Sequence, residues 1–121
     1  MKMTNKVNQA VFHKSALKEI QSFPQDVKTE VGEFIMALEM NLDVSDFDTK
    51  PMKTVASGAY EFRTYDKDKN YRVFYYLKVS DSILVFHAFT KKTRKTSEVD
   101  KKTALARLNE TIESLKGGGK K

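Results

Sequence analysis

The residues of this chain best suited to chemistry are cations on the first two of three β-like stretches and in the basic run that follows the third. Arg63 lies in the stretch 60–65 and Arg72 in 71–79, while 83–89 leads into Lys91-Lys92-Thr93-Arg94-Lys95-Thr96. A guanidinium can fork onto two phosphate oxygens, and a lysine adds a mobile point charge. A tyrosine on the same strand face, such as Tyr76, offers a ring for base stacking. Together these residue types suit contact with a phosphodiester. The charge distribution points the same way. Residues 1–90 carry 12 Lys+Arg and 12 Asp+Glu, whereas residues 91–121 carry 10 and 4, so the net +6 lies in the last quarter. An excess gathered at one end favours a polyanionic partner, nucleic acid or ribosome.

Other chemistries find little support. The absence of cysteine excludes disulfide scaffolds, thiolate zinc sites and cysteine nucleophiles. The two histidines, His13 and His87, are far apart in sequence and match no metal-ligand spacing, so neither metal nor cofactor is expected. No phosphate-binding loop, dinucleotide fingerprint or nucleophile elbow is present. Asp43, Asp46 and Asp48 read as loop solvation. The N-terminus leads into no long apolar run, so the expectation is a cytoplasmic protein with neither signal peptide nor membrane span.

These cations need a scaffold, and the hydrophobic pattern supplies one. At 121 residues with 40 % hydrophobic content the chain fits one domain, read as 1–116 with a flexible basic tail at 117–121. Residues 7–13 read as a short strand. Ser15 is a candidate N-cap, and Ser22-Phe23-Pro24-Gln25 has the form of a capping box. Leu17, Ile20 and Phe23, then Val27, Val31, Phe34, Ile35, Leu38 and Leu42, recur at helical spacing and predict an antiparallel helix hairpin laid on a sheet. Residues 41–57 read as a connecting loop with an extended piece near 52–55. The three β-like stretches follow, then a helix over 98–116 with Leu105, Leu108, Ile112 and Leu115 as its seam. The fold class is α+β: a small antiparallel sheet on an N-terminal helix hairpin, plus a C-terminal helix.

Side chains alternate across a strand, which divides the candidates between two faces. Tyr71, Val73, Tyr75, Leu77 and Val79 form an apolar set for the hairpin. That assigns Arg63, Arg72 and Tyr76 to an open opposite face, with Tyr65 on the same side of its strand as Arg63. The stretch 83–89 is apolar on both sides except at His87, which predicts a central strand. Two plain alternatives stand beside this reading. Arg63 and Arg72 are either solvated or paired across strands with Glu61 or Asp66, and His87 is a satisfied structural histidine. Phe74 is expected under the C-terminal helix.

Three motifs in order, Tyr60-Glu61-Phe62-Arg63, Tyr71-Arg72-Val73-Phe74-Tyr75, and Phe86-His87-Ala88-Phe89-Thr90-Lys91-Lys92-Thr93-Arg94-Lys95-Thr96, resemble the HigB branch of the RelE/ParE toxin superfamily. That branch includes phage-type Gp49-like proteins. The resemblance implies a RelE-like fold and a toxin of a type II toxin–antitoxin system. It implies ribosome-dependent, metal-independent mRNA cleavage through 2′-hydroxyl attack. It also implies a cognate antitoxin, HigA-like with a helix-turn-helix, through which alone operator DNA would be bound. By motif position Arg63, Arg72 and Lys92 fall at the family's basic catalytic places. Lys91, Arg94, Lys95 and Tyr76 would contact mRNA or ribosome, and His87 and Tyr65 carry no assigned role. Where RelE has a late tyrosine, this chain has Val99 and Asp100. Two further readings stay open: ParE-like inhibition of DNA gyrase, and a non-catalytic RNA- or ribosome-binding module.

Overall fold

The computed structural model describes residues 8–67, 69–91 and 96–117. Eight elements follow in chain order: β1 (Gln9–Phe12), α1 (Lys14–Gln21), α2 (Gln25–Glu39), β2 (Thr49–Pro51), β3 (Ala59–Asp66), β4 (Lys69–Tyr76), β5 (Ser82–Lys91) and α3 (Glu98–Gly117). The strands form one sheet in the order β1-β5-β4-β3-β2. The expected α+β architecture is present, and β5 is an interior strand as its apolar faces require.

The sheet is mixed rather than antiparallel. β2, β3, β4 and β5 pair antiparallel, but β1 runs parallel to β5, with Gln9 opposite Ser82 and Phe12 opposite Val85. Strand direction depends on how the chain returns from distant elements, which periodicity does not report. The extended piece in the long connection is β2, at 49–51 and not 52–55. Met52 and Val55 instead bury their side chains in the core.

Helices cover both faces. On one, α1 and α2 supply Ala16, Ile20, Val27, Val31, Phe34 and Ile35 against Phe62, Tyr71, Val73, Tyr75, Ile83 and Val85. Phe34 stacks on Phe62 at a centroid distance of 4.4 Å and meets Tyr75 edge-on. On the other, Ala104 and Leu108 of α3 press on Phe74, Leu84 and Phe86. The expected α3 seam is therefore shifted. Leu105 and Leu115 are exposed, while Ala104 and Thr111 are buried, because their short side chains let the helix axis approach the sheet. Phe74 lies under α3 as anticipated.

The helix ends also differ from their sequence signals. His13, not Ser15, caps α1: its Nδ1 accepts from the Ser15 amide at 3.1 Å, and its Nε2 bonds Glu110 of α3 at 2.7 Å. Pro24 occupies the cap of α2 without a side-chain bond, because Ser22 donates back to the Glu19 carbonyl at 2.6 Å. α3 begins with a cap at Ser97, whose Oγ accepts from the Asp100 amide at 3.0 Å and donates to its carboxylate at 2.8 Å. α3 takes in Gly117, and residues 118–121 lie outside the described residues.

Candidate functional site

Register decides which charged side chains meet. Arg63 of β3 stands opposite Arg72 of β4, and Lys50 of β2 stands opposite Glu61 of β3. Residues directly opposite share a face, so Lys50, Glu61, Arg63 and Arg72 all lie on the side that α3 covers. α3 closes only part of that face. Beyond its first turn a cleft of about 590 Å³ opens, lined by Lys50, Pro51, Met52, Lys53, Thr54, Arg72, Thr96 and Lys101.

The floor of the cleft is a buried ion pair. Arg72 and Glu61 are each 1 % exposed, with Arg72 Nη1 donating to Glu61 Oε2 at 2.8 Å. Thr96 Oγ1 donates to the same oxygen at 2.9 Å. The open face expected for Arg72 is thus corrected to a buried one, and the cross-strand pairing with Glu61 is the alternative realised. The physical reason is the cost of burying a guanidinium, which falls when a carboxylate of opposite charge is buried beside it. Arg72 forms the bottom of the cleft instead of projecting into solvent. Lys50, Lys53 and Lys101 stand around it; among the described residues Lys50 and Lys53 have no carboxylate in ion-pair range.

Arg63 sits beside Arg72 but turns to Asp48, with Nη2–Oδ1 at 3.1 Å, while its Nε is buried with no hydrogen-bond partner among the described residues. Burial works to lower its pKa, but the hydrogen bond and charge of Asp48, helped by Glu61, outweigh it and raise the value. Tyr65, 46 % exposed, donates to Asp48 at 3.3 Å. Asp48 is therefore an anchor for two candidate residues and not mere loop solvation. Tyr76, four residues along β4 from Arg72, is half-buried against the α3-side core and does not line the cleft.

A second cluster joins β5 to α3. A register shift at Phe74/Tyr75 places Phe74 opposite His87 but Tyr75 opposite Val85, so Phe86 and His87 both face α3. His87 is buried. Arg107 Nη1 donates to its Nδ1 at 3.0 Å, which leaves Nε2–H to donate to Asp100 Oδ1 at 3.4 Å. Burial above all, with the Arg107 charge, holds His87 below the ordinary histidine range against the opposing pull of Asp100. For Asp100, burial pushes upward, but bonds from Ser97 and His87 and the charge of Lys91 hold its carboxyl below the usual range. Lys91 Nζ is 3.4 Å from Asp100 and 5.8 Å from the Phe89 ring centroid. Both ring nitrogens of His87 are thus partnered, as the structural alternative expects, and Asp100 is shared between His87 and Lys91.

Lys92, Arg94 and Lys95 lie outside the described residues; the chain leaves the sheet at Lys91 and is next described at Thr96, on the cleft wall. Glu61, Thr96, Lys50, Lys53 and Lys101 were not among the candidates read from sequence. Glu61 and Thr96 stand inside the motifs, so their place beside Arg72 and the basic run was a usable signal. Lys50, Lys53 and Lys101 carried none, since only β2 pairing and the entry of α3 bring them together. Among the described residues no group of three or more His, Asp or Glu could hold a metal ion, and no helix is long and apolar enough to cross a membrane.

Comparison with known proteins adds two likenesses. Residues 18–109 match the family described as "Phage derived protein Gp49-like (DUF891)". A chain of the toxin–antitoxin complex RelBE2 from Mycobacterium tuberculosis resembles this one loosely in shape, at 12 % identity and a TM-score of 0.46, over 77 % of this chain and 100 % of that chain. No curated protein matches significantly.

Proposed function

The chain belongs to the phage-derived Gp49-like family, and from that premise we propose that it is the toxin of a toxin–antitoxin pair, a metal-independent endoribonuclease that cuts mRNA on the ribosome. The family match spans all three motifs that carry the HigB-like resemblance, from Tyr60 to Thr96. The observation that carries the chemical part is the cleft: a guanidinium held at its floor by a buried carboxylate, with three lysines around it and Thr96, the last residue of the third motif, on its wall.

In the proposed reaction the 2′-oxygen of one nucleotide attacks the adjacent phosphorus and the P–O5′ bond breaks. The 2′-hydroxyl gives up its proton and the departing 5′-oxygen gains one, leaving a 2′,3′-cyclic phosphate and a 5′-hydroxyl. Negative charge grows on the phosphoryl oxygens and on the leaving oxygen. Fixed cations stabilise that charge without reorganising at the moment of reaction. Arg72 takes the phosphate, Arg63 supports it from the neighbouring strand, and Lys92 supplies charge or carries a proton. A lysine crowded by arginines has its protonated form disfavoured, which suits proton transfer. Lys91, Arg94 and Lys95 hold the message or ribosomal RNA. Base stacking is not given to Tyr76, which stands outside the cleft, nor is any step given to His87. The partner that silences the toxin is an antitoxin of the helix-turn-helix type.

Induction of the wild-type protein followed by primer extension should show cuts phased with codons. Arg72→Ala should lose cleavage by at least about 100-fold, the scale on which single charge-stabilising donors act. A folded Arg72→Ala protein that cuts as well as wild type would sink the assignment. Growth arrest with intact mRNA and damaged DNA would place the protein among gyrase inhibitors. Arrested translation with uncut message would make it a non-catalytic RNA- or ribosome-binding module.

A further inference from the structure

We infer that Glu61 is a positioning residue whose one buried oxygen, Oε2, sets the guanidinium of Arg72 and fixes the returning chain at Thr96 against it. For its catalytic consequence this inference rests on the endonuclease reading above. Three separate parts of the chain meet at that oxygen. Glu61 comes from β3, Arg72 from β4, and Thr96 stands just before α3, at 2.8 Å and 2.9 Å from their shared acceptor. The two donors line the cleft, whereas Glu61 lies behind them at 1 % exposure. It therefore touches no substrate and acts only through the residues it holds.

The chemistry of the acceptor explains why a carboxylate is needed there. One oxygen receiving a charged N–H and a hydroxyl is well served by an anion, since charge-assisted bonds are shorter and stronger than neutral ones. A glutamine offers one acceptor oxygen and an NH2 that cannot accept. That oxygen has two lone pairs and can still accept from both Arg72 and Thr96, but it lacks the charge that offsets the buried guanidinium. The Thr96 hydroxyl has a second consequence. It holds Thr96, where the described chain resumes after Lys91, beside the Arg72–Glu61 pair on the cleft wall. Losing either contact would loosen the placement of Arg72, and misplacement of about an ångström costs about 100-fold in rate.

The test uses the full-length protein and ribosomes carrying a defined message. Glu61→Gln and Thr96→Val should each lower kcat, about 100-fold and about 10-fold, with KM moved much less. Thr96→Ser, which keeps the hydroxyl, should recover most of the rate lost in Thr96→Val. The double variant should lose less than the product of the single losses, because both changes break one cluster. An independent readout is the Arg72 guanidinium N–H signal in side-chain NMR. It should be resolved and slow to exchange in wild type, then averaged with exposed arginines in Glu61→Gln. A folded Glu61→Gln protein with wild-type kcat and an unchanged Arg72 signal would overturn the positioning role, as would failure of Thr96→Ser to recover activity. If wild type itself cuts no message, the endonuclease reading fails, and the Arg72 signal alone decides whether Glu61 positions it.

Discussion

Against one face of the sheet lie Ile20 and Val31 with Phe23 and Phe34, whose rings meet those of Phe62, Tyr71 and Tyr75. Against the other lies α3, where Phe74, Leu84, Phe86 and Leu108 share space with a buried Arg72–Glu61 pair and a buried His87. The first face is nearly all apolar and gains from burial in the ordinary way. The second includes groups whose desolvation offsets part of that gain. An ion pair is a poor means of stabilising a core, since apolar residues of the same volume often do as well or better. Its presence beside a cationic cleft fits the positioning role inferred for Glu61.

The contrast can be broken from either side. The largest effect expected on the α1–α2 face is Phe34→Ala, which empties the centre of an aromatic cluster and should cost about 3–5 kcal/mol by chemical denaturation. On the α3 face, Glu61→Leu should cost a similar amount, about 3–5 kcal/mol, by leaving the Arg72 charge buried and uncompensated. Adding Arg72→Met to it should restore stability to wild type or above while abolishing cleavage. Recovered stability with lost activity would mark the pair as functional; a double variant less stable than Glu61→Leu alone would show that the pair serves the fold. No apolar exchange at Phe34 should separate stability from activity in this way.

A smaller effect concerns pH. His87 is held below the ordinary histidine value, so the folded state favours its neutral form and protons bind more readily to the unfolded chain. The stability this contributes is complete above the unfolded pKa of about 6.5 and is lost as pH falls toward the folded value. Denaturation midpoints measured from pH 7.5 down to pH 5 should therefore fall more steeply in wild type than in His87→Gln. The carboxyl of Asp100, held low, adds its own loss only further down, below about pH 4. Parallel curves for the two proteins above pH 5 would mean that His87 does not set this dependence.

Much of the scaffold was legible because its signals are local. The spacing of Val27, Val31 and Phe34 and the alternation of Tyr71, Val73 and Tyr75 state which side of each element is apolar, and the structure buries those residues. Legibility stopped where a residue's state depends on what covers it. Alternation separated Arg72 from the apolar set correctly but could not report that α3 closes the face it was assigned to. The same limit applies to Asp48, whose role exists only because its loop passes beside Arg63 and Tyr65. It applies also to His13, a cap and an ion-pair partner to a residue 97 positions away.

By itself, then, the sequence determined most of the elements, the apolar side of α2 and β4, the gathering of positive charge from Lys91 onward and the motifs that point to a family. Those are properties of neighbours along the chain, set by periodicity and composition. Only the tertiary structure decided that β1 runs parallel to β5, that a bulge turns Phe86 and His87 to one side, and that Glu61 stands between Arg72 and Thr96. Each of these depends on register or covering between segments distant in the chain. A shift of one residue in pairing would carry every side chain of a strand to the opposite face. The arginine on an alternating strand was visible in the residues. The carboxylate that aims it was settled by how the strands align.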